Sequence, residues 1–309
     1  MFKTLAFTPA ASRPKHYWRN LALFTVTTVI TAFVFLQYVF VPLTWTYVFT
    51  HPKRFPVCCV TPADYGLTYE SVSFITADGL TIRGWYVPSQ NKAVIIYLHS
   101  FGSTRAQMVG LSAALAQHGY GALLIDLRAH GESDGEVLPY GGPEAEDVVA
   151  AVKFLQSRAD VDPERIGVLG WSLGAQTAIL GAARTDAIKA VVSDAPGATT
   201  QEDWVYPSLS DKFFIPMDFL FYHTLPFVTG VWQPLSIQKA VAQIAPRPLL
   251  IIGGGHEEAG LRHIFSAALE PKTLWIIPEV GHIGGFSARP DEYEQKVTEF
   301  FDTALLAEQ

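Results

Sequence analysis

Charge is scarce in this 309-residue sequence. Asp, Glu, Lys and Arg together make up 17% of it, below the roughly one quarter usual in soluble domains. The deficit is concentrated: between Asn20 and Thr50 there is no acidic or basic residue, so part of the chain is expected never to meet water. Cysteine is almost absent too. The only two, Cys58 and Cys59, are adjacent. Neighbours rarely bond to each other, so no disulfide framework is expected. The pair reads as ordinary linker in preference to an acylation site beside a membrane. A net charge of −7 without a Lys/Arg cluster excludes nucleic acid as an expected partner. Neither a Cys/His ligand pattern nor a Gly-rich phosphate loop occurs, so no metal and no organic cofactor is implied. No internal repeat or low-complexity segment is present.

The uncharged stretch is the first positive feature. Residues 21–41 are long enough to cross about 30 Å of hydrocarbon as a helix. Tyr17 and Trp18 precede them and Trp45 and Tyr47 follow, matching aromatic belts at two interfaces. The stretch has no polar face for a core helix. It is also too long, and lacks an A-x-A-like site, for a cleaved signal. The expectation is one uncleaved transmembrane helix after an N-terminal tail (1–20), with a linker over 42–65. Lys3, Arg13, Lys15 and Arg19 precede the span, against Lys53 and Arg54 after it. That bias places the N-terminus in the cytoplasm and everything after residue 50 on the extracytoplasmic side.

Beyond the linker, strands are expected at 71–76 and 81–87, flanking the hairpin signal Asp78-Gly79. The runs 93–98 and 122–127 are apolar throughout, as strands buried on both faces are. Further strands are expected at 165–169, 188–193, 248–252 and 273–277. Helices fall at 104–118, 143–158 and 173–184, with a last one from Pro290. An antiparallel opening followed by alternating strand and helix makes a mostly parallel sheet with helices on both faces. The segment 201–236 breaks the alternation. Its aromatic residues include Trp204, Phe213, Phe214, Phe219, Phe221, Tyr222 and Trp232, and it is expected to lie as an apolar lid over the carboxyl edge of the sheet.

Gly170-Trp171-Ser172-Leu173-Gly174 sits where a strand hands over to a helix, the context of a nucleophile elbow. A serine hydroxyl needs a base, an orienting carboxylate and two N–H donors for a developing oxyanion. Of nine histidines, His282 follows the last strand and returns to the edge that carries Ser172. For the carboxylate the choices are Glu257 first, Glu258 second, and Asp194 at the end of the preceding strand third. The donors expected are the Leu173 N–H and, from the loop after the first parallel strand, the Phe101 N–H.

These motifs stand in a familiar order. His99-Ser100-Phe101-Gly102, Asp126 through Ser133, Gly170 through Gly174, Ala245-Pro246-Arg247-Pro248 and Gly281-His282 make residues 66–309 resemble an alpha/beta-hydrolase-fold serine hydrolase. Asp78-Gly79-Leu80 with Gly84-Trp85-Tyr86 resembles the opening hairpin of its membrane-anchored esterase or acyl-peptidase-like branch. The resemblance implies cleavage of an ester or thioester, from a small acyl ester or lipid-like substrate, through an acyl-enzyme. Aminopeptidase or amidase activity, or a catalytically silent binding role, are the alternatives. The sequence departs from the family twice. Ser100 stands where Gly is usual, which narrows the oxyanion loop, and Glu257 stands where Asp is usual. The stretch from Asp126 to Ser133 resembles the family's structural loop and is assigned no chemistry.

Overall fold

In the strand Val94–Leu98 all five residues are buried. Val94, Ile96 and Leu98 pack into one core layer, and Ile95 and Tyr97 into the other. A period of two with both faces apolar requires cover on both sides of a sheet. The computed structural model, which describes residues 14–307, supplies that cover. Eight strands form one sheet: β1 (Glu70–Ile75), β2 (Thr81–Val87), β3 (Val94–Leu98), β4 (Gly121–Ile125), β5 (Ile166–Trp171), β6 (Ala190–Asp194), β7 (Leu249–Gly254) and β8 (Lys272–Ile277). Their order is β1-β2-β4-β3-β5-β6-β7-β8. β2 runs antiparallel to β1 and β4, and all later pairings are parallel.

The helices are α1 (Tyr17–Phe35), α2 (Val41–Thr50), α3 (Val109–Ala116), α4 (Ala145–Gln156), α5 (Leu173–Ala182), α6 (Ile215–Thr229), α7 (Ile237–Val241), α8 (Glu258–Ala267), α9 (Gly285–Ala288) and α10 (Pro290–Phe301). Val148 of α4, Ile179 of α5, Val241 of α7 and Leu261 of α8 pack on one face of the sheet. Leu111 of α3 and Tyr293, Val297 and Phe301 of α10 pack on the other. The stretch expected to be helical from 104 begins as a 3-10 turn, Arg105–Met108. There the Asp126 carboxylate accepts the Arg105 N–H at 2.7 Å and pairs with its guanidinium at 2.5 Å.

Two expectations about the N-terminal part are corrected. Residues 42–50 are not linker. Helix continues without a break from Tyr17 to Thr50, passing through a π-helical turn at Leu36–Phe40. Pro42 has no N–H to continue the ladder. The wider turn just before it, closed by the Val41 N–H on the Leu36 carbonyl, absorbs that loss. The linker therefore starts at His51. Cys58 and Cys59 are bonded to each other, contrary to the expectation for neighbours. The two sulfurs are brought together by adjacency alone, so the bond ties no distant parts of the chain. Of the basic residues counted before the span, Lys3 and Arg13 lie outside the described residues, as does most of the 1–20 tail.

The helix end is joined firmly to the sheet domain. The Thr50 carbonyl accepts the Leu138 N–H at 2.7 Å. The Arg54 guanidinium donates to the carbonyls of Gly131, Ser133 and Gly135. The 201–236 segment folds as two short 3-10 turns and α6, and α6 packs along α2.

Candidate active site

Ser172 leaves β5 with φ 53° and ψ −110°, a left-handed conformation that a non-glycine residue holds only under constraint. The constraint is steric and local. A methyl group on Gly170 would run into the Gly174 carbonyl, and one on Gly174 into the Leu98 carbonyl. The two glycines thus let the turn close, and the Ser172 N–H donates to the Asp194 carbonyl at 2.9 Å. Ser172 then caps α5, whose N-terminal N–H groups are unsatisfied by the helix itself.

His282 lies in the loop after β8, and its Nε2 is 2.7 Å from Ser172 Oγ. Its Nδ1 is 2.6 Å from Glu257 Oε1, in the turn after β7. The hydrogen bond to Glu257 is the main cause that raises the His282 pKa above 6.5, against partial burial. The other Glu257 oxygen is buried without a partner. The glycine run explains how the two loops meet. A side chain at Gly254 would strike the Val280 carbonyl, and one at Gly255 would lie 2.5 Å from the Pro278 carbonyl.

The other two carboxylates weighed from the sequence are engaged elsewhere. Glu258 pairs with Arg262 one turn along α8, at 2.7 Å. Asp194 is buried and accepts the Tyr293 hydroxyl at 2.9 Å, while that hydroxyl accepts the Trp171 indole N–H at 3.2 Å. Desolvation pushes the Asp194 pKa up to about 6. Of the three, Glu257 alone touches the imidazole.

The Phe101 and Leu173 N–H groups have no acceptor among the described residues. Ser100 does not crowd this loop. Its hydroxyl and its N–H both donate to Gln107 Oε1, each at 2.9 Å, which turns the side chain away and pins the loop. His99 is fully buried. Its Nε2 accepts the Leu127 N–H at 3.0 Å, and burial pulls its pKa down to about 4. It is therefore a neutral structural residue. The 126–133 loop is structural as well: Asp126 accepts from both Arg105 and the Glu132 N–H.

A cavity of about 670 Å³ opens beside Ser172. Trp204, Phe214, Phe221 and Tyr222 from the 201–236 segment line it, so that segment does cover the carboxyl edge. Sequence reasoning missed wall residues outside that segment, among them Trp45 and Phe49 of α2. The signal was present: both are aromatics four apart on one helix face. Their destination depends on which way α2 turns.

The family model for the X-Pro dipeptidyl-peptidase (S15) family matches residues 59–210. A polyketide transferase of Stachybotrys chlorohalonatus is 37% identical over 297 residues, covering 77% of this chain and 98% of the relative. A thiohydrolase of Aspergillus aculeatus is 35% identical over 144 residues, 45% of each chain. Among solved structures, the Pyrococcus furiosus esterase Pf2001 superposes with a TM-score of 0.67 at 26% identity, over 83% of this chain and 98% of the esterase. With one such relative matched over nearly its whole length and the strand order in place, the chain belongs to the alpha/beta-hydrolase-fold serine hydrolases and is an enzyme of the hydrolase class.

Proposed function

We propose that the protein is a membrane-tethered serine hydrolase that cleaves an ester or thioester through an acyl-enzyme. The observation that carries this reading is the relay Ser172 Oγ–His282 Nε2–His282 Nδ1–Glu257 Oε1, with separations of 2.7 and 2.6 Å. In it, Ser172 Oγ attacks the acyl carbon while His282 Nε2 takes the hydroxyl proton. Glu257 holds the tautomer with its proton on Nδ1 and stabilises the imidazolium. The carbonyl oxygen becomes an oxyanion facing the Phe101 and Leu173 N–H groups. Collapse expels the alcohol or thiol, which leaves with the proton from Nε2. Water then repeats the sequence with His282 as base, releasing the carboxylic acid and free Ser172.

The mostly apolar walls of the cavity favour an acyl group over a polar one. Tethering rests on the continuous Tyr17–Thr50 helix, whose residues Leu23, Phe24, Val29 and Ile30 are more than half exposed. The charge bias about that helix favours a hydrolase domain on the extracytoplasmic side. A second reading, cleavage of an amide at a free N-terminus, draws on Asp211 and Asp218, the carboxylates in the cavity wall, which suit an ammonium group. Labelling by a short fluorophosphonate, mapped to Ser172 and lost in Ser172→Ala, is the test. Labelling that survives Ser172→Ala ends the serine reading. Faster turnover of aminoacyl anilides than of acyl esters selects the amidase.

A further inference from the structure

The N-terminal helix does more than precede the domain. α6 lies alongside it, and the contacts set the level of one on the other. Gln37 Nε2 donates to Met217 Sδ at 3.3 Å. The Tyr38 and Phe213 rings stand 5.3 Å apart. Further up, the Thr46 and Thr224 hydroxyls share a hydrogen bond of 2.7 Å. The two helices therefore run in the same direction, with the start of α6 beside residues 37 and 38. Those residues belong to the end of the 21–41 span. The 34 helical residues extend about 51 Å, well beyond about 30 Å of hydrocarbon. The upper third thus emerges at the interface with α6 beside it.

That paired structure forms a wall of the cavity. Phe49 meets the Phe101 ring of the oxyanion loop at 5.3 Å and the Phe221 ring of α6 at 6.0 Å. Trp45 lines the cavity one turn below Phe49, towards the span. Phe214, also a lining residue, is 45% exposed. Phe213 and Phe219 on the same segment are similarly exposed. Apolar rings at this height suit the boundary between headgroups and acyl chains.

Resting on the serine-hydrolase reading above, we infer that the anchor helix is part of the substrate site. Trp45 and Phe49 hold the acyl chain of a bilayer-resident ester or thioester lipid. The chain enters past Phe214 at the start of α6, on the side that faces the membrane. Phe49, packed against the oxyanion loop, contacts the carbons nearest the carbonyl, and Trp45 contacts those further out. The anchor helix and the lid helix then set acyl-length preference together.

The test uses the full chain in lipid nanodiscs. For a series of acyl esters from acetyl to dodecanoyl, Phe49→Ala and Trp45→Ala lower the dodecanoyl-to-acetyl ratio of kcat/KM about tenfold. Tyr47→Ala, exposed on the opposite face of the helix, leaves that ratio unchanged. An unaltered ratio in both pocket variants overturns the inference. A binding measurement separates it from the chemistry. cis-Parinaric acid titrated into Ser172→Ala binds about tenfold more tightly than into Ser172→Ala/Phe49→Ala. Equal binding overturns the pocket wall, whereas loss of fluorophosphonate labelling alone removes only the serine reading. A dodecanoyl lipid placed in the enzyme's own nanodisc is turned over at least about tenfold faster than the same lipid in separate vesicles. Equal rates overturn entry from the bilayer.

Discussion

His282 Nδ1 and Glu257 Oε1 stand 2.6 Å apart, joining the loop after β8 to the turn after β7. This bond decides both the tautomer of the imidazole and the pH at which it charges. In the proposed mechanism His282 acts as a neutral base, and Glu257 raises its pKa above 6.5, so protonation is expected to remove activity already at mildly acidic pH. The acid limb of kcat/KM against pH is expected to have its midpoint above 6.5. Glu257→Gln moves that limb to lower pH and lowers the plateau by about 10³- to 10⁴-fold. A variant whose limb stays in place, at an undiminished plateau, refutes Glu257 as the orienting acid.

Asp194→Asn separates the buried carboxylate from the relay. Asp194 binds Tyr293, not His282, so kcat is expected to fall less than about tenfold, far short of the loss at Glu257. The stability effect has a definite sign. The folded-state pKa is raised to about 6 by burial, so the stability linked to the protonated form is present at pH below the unfolded value. It is lost as pH rises through about 6. Melting temperatures of wild type and variant, measured from pH 4.5 to 8, should therefore converge at the acid end. At the alkaline end the variant should be favoured. A difference independent of pH contradicts this account.

Gly254→Ala probes the approach of the two loops. The added methyl meets the Val280 carbonyl and lies 2.9 Å from the Gly281 carbonyl, next to His282. The loops must part, and a displacement of about 1 Å costs roughly 10²-fold in rate. Steady-state kinetics should show the loss in kcat, with KM little changed, because Gly254 does not line the cavity beside Ser172. A pure KM effect would place Gly254 in substrate binding instead.

Arg105→Leu tests the structural loop. Arg105 and Asp126 are 5% and 0% exposed in their side chains, and removing the cation leaves Asp126 buried among hydrogen-bond donors without its countercharge. Loss of one partner of a buried pair costs about 3–5 kcal/mol. A drop in melting temperature of the detergent-solubilised protein reads it out. An unchanged melting temperature contradicts the buried-pair role.

What was legible in the sequence was local. Two-sided apolar strands, a Gly-x-Ser-x-Gly at a strand end and a histidine after the last strand are each encoded within a few residues, because side-chain period and backbone sterics act at short range. Those signals were enough to place the strands along the chain, the elbow at Ser172 and His282 on the same edge, while the spatial order of the strands came from the structure. The carboxylate was not decided in this way. Glu257, Glu258 and Asp194 are chemically interchangeable in a string of letters. Only the packing of Gly254 and Gly255 against the 278–281 backbone turns Glu257 towards the imidazole, while Arg262 and Tyr293 occupy the other two. The end of the N-terminal helix was misread for a related reason. Pro42 signals a break locally, yet a π-helical turn and the packing of α2 on α6 carry the helix to Thr50. By itself the sequence determined that an uncharged helix precedes a hydrolase sheet with a serine at its edge. Only the tertiary structure decided that this helix walls the cavity beside that serine, because contacts such as Thr46 with Thr224 join residues far apart in the chain.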